Sequence, residues 1–121
     1  TKMINKAGKA VVPGSDTVQA AAASADWNSK PGFGVILANQ PGDQSWPMAA
    51  ATWILMYKKP EKLADSAEAL KFFAWAYAKG DAMADSLDYV PMPDNVVKDI
   101  MKMWSAEIKD ASGKPLYSPT N

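Results

Sequence analysis

The sequence predicts a mixed α/β fold, and three stretches carry that reading. Met48–Tyr57 holds no charge, includes Thr52, Trp53, Ile54 and Tyr57, and shows no strict alternation, the pattern of an inner strand covered on both faces. Lys58-Lys59-Pro60 ends it, and an amphipathic stretch runs on to Gly80, so that strand, tight turn and helix make half of a βαβ unit. A second amphipathic stretch from Asp94 to about Lys109 predicts another long helix, with Val96, Val97, Ile100, Met103 and Trp104 on its apolar face and Lys98, Asp99, Lys102 and Ser105 on its wet side.

The remaining elements follow in order. Residues 2–12 read as two short extended pieces around Ala7-Gly8-Lys9, a hairpin turn with Gly where a positive φ is needed. Pro13-Gly14-Ser15-Asp16 breaks the chain and starts a helix to about Ala25, with Ser15 or Asp16 as the capping side chain. Asp26 to Pro47 holds three of the nine Pro and three of the seven Gly, which predicts mostly loop, with Gly34–Ala38 as a short apolar element. The helix after Pro60 starts there, or one turn later where Asp65 and Glu68 have capping-box spacing. Its expected core face is Leu63, Ala67, Leu70, Phe73, Ala74 and Tyr77, with Phe72 and Trp75 pointing elsewhere. Asp81–Asp88 reads as a short helical turn, Leu87–Val90 as an extended piece, and Pro91-Met92-Pro93 as a stop. Residues 110–121 read as a loosely held tail.

Composition narrows the function more than any motif does. The 121 residues contain no His and no Cys, and all 13 basic groups are Lys, so there is no Arg. That removes the usual general base, the thiol nucleophile, the soft metal ligands and the planar fork that grips phosphate or carboxylate. Thirteen acidic groups balance the lysines, and a net charge of zero gives no field toward nucleic acid or an anionic membrane. The longest uncharged apolar run, Trp46 to Tyr57, contains Pro47 and is too short to span a bilayer. No signal peptide follows Thr1-Lys2-Met3-Ile4, so the start reads as a cleavage product or an engineered boundary.

Four constellations are candidates for chemistry. Asp81, Asp85 and Asp88 fall at i, i+4 and i+7 and would share a helical face, but without the loop spacing of a calcium site they read as solvated acids. Lys58, Lys59 and Lys62 lie before a helix start, where an anion would be favoured, yet such lysines ordinarily mark a solvated strand end. Gly32-Phe33-Gly34 lacks the third Gly of a dinucleotide fingerprint. Phe72 and Trp75 could meet a partner. None supplies a catalytic, metal or cofactor site, and the expectation is a protein that is not an enzyme and needs no cofactor.

An ordered set of segments resembles the periplasmic phosphate-binding proteins of bacterial phosphate ABC transporters. It comprises Lys9-to-Pro13, Ala25-Asp26-Trp27, Trp46-Pro47 leading into Thr52-Trp53-Ile54-Leu55, and Leu70-Lys71-Phe72-Phe73-Ala74-Trp75-Ala76-Tyr77 with Gly80. It continues through Leu87-Asp88-Tyr89-Val90-Pro91-Met92-Pro93, Val96-Val97 and Trp104 to Ser112-Gly113-Lys114-Pro115-Leu116-Tyr117. The resemblance covers only the last third or so of that family's chain. It implies a two-lobed type II binding-protein fold, of which residues 1–46 would be a remnant of the second lobe and 47–121 the end of the first, with a mostly buried strand and two long helices. It also implies that the family's phosphate ligands, which are Ser and Thr hydroxyls, helix N-terminal amides, an Asp and an Arg, lie upstream, so no phosphate-binding residue is assigned here. Inorganic phosphate and an inner-membrane permease would be partners of the intact protein only. A complementary fragment or a second copy is expected to complete the chain. The competing reading is a stand-alone, self-associating interaction module that binds no phosphate.

Overall fold

Met3–Ile4 (β1) and Ala10–Val11 (β2) pair antiparallel, Met3 opposite Val11 and Ile4 opposite Ala10. The turn between them is closed by Gly8 at φ +76, a conformation that Gly adopts without a steric penalty. The structure, a computed structural model, describes residues 1–118. Among these residues four helices follow the hairpin: α1 (Ser15–Ser24), α2 (Leu63–Lys79), α3 (Asp81–Ser86) and α4 (Asp94–Glu107). Two single 3₁₀ turns, Trp27–Ser29 and Pro31–Phe33, punctuate the loop after α1. Helix dominates, and the two-residue ladder is the one sheet among the described residues.

The chain divides into two units. The first comprises Thr1–Trp53 with Val90–Val96, and the second Ile54–Tyr89 with the chain from Val97 on. In the first, α1 turns Thr17, Ala21 and Ala22 inward, a spacing that makes one helical face. Val11, Trp27, Phe33, Leu37, Trp46, Ala49 and Val96 are the unit's other buried apolar residues. Its polar groups are satisfied within the unit. Asn5 Nδ2 donates to the carbonyls of Gly42, Asp43 and Ser45 at 3.1, 2.8 and 3.3 Å, while its Oδ1 accepts from the amides of Ala7 and Lys9. One side chain thus ties the hairpin to the loop at 42–45. The buried Thr17 hydroxyl donates to the Val12 carbonyl at 2.8 Å, and the indole of Trp27 donates to that of Ala22 at 2.7 Å.

The second unit is built on Leu70, Trp104 and Ile108. Phe73, Ala74 and Tyr77 of α2, with Ile100, Met101 and Met103 of α4, pack around them. The rings of Tyr77 and Trp104 lie 6.1 Å apart, and Trp104 meets Tyr117 edge to face at 5.6 Å. Lys58 and Glu107 form an ion pair at the unit's surface.

Several expectations need correction. No strand forms over Met48–Tyr57, and most of that segment is exposed where burial was expected. Its backbone makes no hydrogen bond among the described residues, so the apolar run forms no ladder. A strand is defined by its neighbours, and this unit supplies none. The capping side chains also fail: α1 is capped by Gly14 and α2 starts at Leu63 after Lys62, with no side-chain cap bond at either. Leu63 is exposed rather than part of the core face. Gly34–Ala38 forms no regular element, although Leu37 is buried. The tail is held as far as it is described. Asp110 closes a turn, Lys109 bridges Pro115, and the Leu116 amide donates to the Ile108 carbonyl at 3.1 Å. The Ser105 hydroxyl donates to the Tyr117 carbonyl, and Leu116 and Tyr117 cover the core. The end of the expected tail, 119–121, lies outside the described residues.

Candidate functional site

The constellations of catalytic or ligand-binding type do not assemble. Asp81 and Asp85 lie on α3, but the helix ends at Ser86 and Asp88 has φ +61, so the three do not share a helical face. Among the described residues no group of three or more metal-ligating side chains comes together. Gly32-Phe33-Gly34 forms a 3₁₀ turn whose centre is an anchor: Phe33 is buried and meets Trp27 edge to face at 6.2 Å. Lys58 is spent on Glu107, and Lys59 and Lys62 face Glu61 and Asp65 in a common groove, so no net positive site exists there.

That groove is the candidate site. It has a volume of about 570 Å³ and is lined by Met56, Tyr57 and Pro60, by Ser66 and Ala69 of α2, and by the four charged residues. Helical spacing continues the Asp65–Ala69 stripe of α2 to Phe72 and Ala76. Phe72 is 58% exposed and Trp75 51%, and their rings stack at 6.0 Å. In the same unit Ile54 is 57% exposed, Leu55 92% and Tyr57 82%. Large apolar side chains are thus left exposed both before α2 and on it. Monomeric proteins rarely leave large contiguous apolar surface to water.

Two titratable groups are shifted, and both belong to the frame rather than to the groove. Burial pushes the Tyr77 hydroxyl above its ordinary range. The Ser112 hydroxyl and the Lys114 amide, both donating to its carboxylate, hold Asp110 below the usual carboxylate range. Sequence reasoning named Phe72 and Trp75 but missed Met56, Tyr57 and Ala69 as a lining. It also missed Asn5, whose one local sign is its place two residues before an amide it can bond, as in an Asx turn.

Comparison with known proteins gives the chain a context. No family model matches the chain. The phosphate-binding protein PstS of Pasteurella multocida is 45% identical over 113 residues, covering 93% of this chain and 33% of that protein. In sequence, this chain is a relative of the PstS phosphate-binding proteins. PstS of Haemophilus influenzae is 43% identical over 105 residues, covering 87% of the chain and 31% of the relative, and PstS of Xylella fastidiosa 38% over 109, covering 90% and 30%. The chain therefore spans about a third of the length of the curated relatives it matches. Among the described residues no helix is long and apolar enough to cross a membrane.

Proposed function

We propose that this chain is the C-terminal portion of a phosphate-binding protein that serves phosphate uptake through an ABC transporter in the periplasm. The observation that carries the reading is the match to PstS over nearly the whole chain but a third of the relatives' length. In this reading the chain's share is structural. Residues 1–46 belong to one lobe and 47–121 to the other, and the groups that hold phosphate belong to the remainder. The absence of Arg, His and any basic cluster in this stretch supports that division, since phosphate recognition relies on bidentate or helix-terminal donors. The role is binding and delivery to a membrane permease, not catalysis.

Titration calorimetry with inorganic phosphate tests it. The isolated 121-residue chain gives no saturable micromolar binding, whereas a natural gene product about three times longer binds. Saturable binding by the isolated chain would overturn the assignment of the ligands to the remainder. A natural product of only this length favours the self-associating module instead.

A further inference from the structure

We propose that the outer face of α2 pairs with the same face of a second copy of this chain, the two helices antiparallel about a two-fold axis midway between Phe72 and Trp75. The inference goes beyond the functional reading above and needs neither phosphate nor a longer chain.

The periodicity of α2 builds the face. Leu70, Phe73, Ala74 and Tyr77 turn toward the core of their unit. Glu68, Phe72, Trp75 and Lys79 follow one another at steps of four, three and four residues. At 3.6 residues per turn those steps keep the four within about 60° of one another, on the side of the helix away from the core residues. All four are exposed. The spacing is that of a coiled-coil seam, in which one helix packs its stripe into that of another. At its centre the rings of Phe72 and Trp75 stack at 6.0 Å with 29° between their planes, so they present one joined apolar surface rather than two scattered side chains.

The charges select the occupant and its direction. The stripe is acidic at Glu68 and basic at Lys79. A parallel copy would set Glu68 against Glu68 and Lys79 against Lys79, like charges at both ends. An antiparallel copy sets Phe72 against Trp75 and Glu68 against Lys79, and each contact occurs twice, as a two-fold interface requires. Antiparallel helices also place their opposite dipole ends together. Among the described residues Lys79 makes no ion pair. Glu68 pairs with Lys71 of its own helix through Oε1 at 2.7 Å, an exposed contact that leaves Oε2 for a second cation. A partner of one charge sign would satisfy one end of the stripe, whereas a second copy satisfies both. One helix face of this length buries less than the roughly 1,200 Å² at which standard interfaces begin, so the dimer is weak and follows concentration.

Sedimentation equilibrium of the isolated chain is the test. Its apparent mass rises from 13.0 kDa toward twice that value with concentration. Trp75→Ala abolishes the rise, because an aromatic at the centre of a small interface carries most of its affinity. The same variant keeps its melting midpoint in dilute solution, since the side chain faces water there. Glu68→Lys and Lys79→Glu each weaken association by roughly three- to tenfold, as each turns both end pairs into like-charge contacts. Combining the two substitutions in one chain restores association, and so does mixing the two single variants. The combined variant still lacks the Glu68–Lys71 pair, so its rescue reports contacts between copies and not within α2. A mass that stays at 13.0 kDa up to about 1 mM overturns the proposal. Association that survives Trp75→Ala, or a combined variant no better than Glu68→Lys alone, overturns it as well.

Discussion

The two units differ in what they bury. Around the hairpin and α1, even small polar groups are closed off: Asn5, Thr17 and Ser45 are buried, and each has partners nearby. In the unit of Ile54–Tyr89, a well-packed centre at Leu70 and Trp104 coexists with exposed Leu55, Tyr57, Phe72 and Trp75. Burying an unpaired amide costs about 1–3 kcal/mol, and exposing a large apolar side chain forgoes about 1.5–3 kcal/mol. Both units forgo the apolar gain at some side chains, the first at Ile4, Ile36 and Met48 and the second at Leu55, Tyr57, Phe72 and Trp75, but the second does so at more of the large aromatic ones.

The largest break in this comparison comes from the centre of the second unit. Leu70 is fully buried, so Leu70→Ala removes packed atoms and leaves a cavity, at a cost of about 2–5 kcal/mol read from the urea midpoint. An unmoved midpoint would place Leu70 at the surface.

A smaller loss follows from Asn5→Ala in the first unit. It removes the donor to three carbonyls and the acceptor of two amides at once and lowers stability by about 1–3 kcal/mol. Amide exchange should then quicken at Lys9 and around residues 42–45, while the amides of α2 keep their rates. Quickening spread evenly over the chain would contradict a local knot.

Leu55→Lys in the isolated chain sharpens the contrast from the other side. With the side chain already in water, the change stays within about 0.5 kcal/mol by thermal melting. A large loss would mean that Leu55 is covered in solution.

The smallest effect is at acid pH. Because hydrogen bonds from Ser112 and Lys114 lower its folded value, Asp110 adds stability that is present above the ordinary carboxylate range and is lost as pH falls through that lowered value. Asp110→Asn should flatten the acid limb of the stability profile by a small amount, because the group is exposed. An unchanged limb would remove Asp110 from the account.

The parts legible in the sequence share a physical property, and so do the parts that were not. Gly8 between two apolar pairs, the 3.6-residue rhythm of Leu70, Phe73, Ala74 and Tyr77, and Val96 with Ile100 and Trp104 all act between near neighbours. Their elements appear where the spacing puts them. Helix starts were less legible, since Ser15, Asp16 and Asp65 are good capping residues that lie inside the helices instead. Tyr117 reads as tail in the sequence yet lies against Trp104, a contact that depends on where the helices place that ring.

By itself, the sequence determined the helices, the hairpin, the absence of His, Cys and Arg, and the likeness to phosphate-binding proteins. Those depend on residue identity, local periodicity and order along the chain. Only the tertiary structure decided that Ile54–Tyr57 forms no ladder, that Asn5 joins the hairpin to a loop some forty residues away, and that Met56, Tyr57 and Ala69 line one groove. The reason is that a helix finds its hydrogen bonds four residues away, whereas a strand must find them in another segment. Whether that segment is present is a property of the assembled molecule.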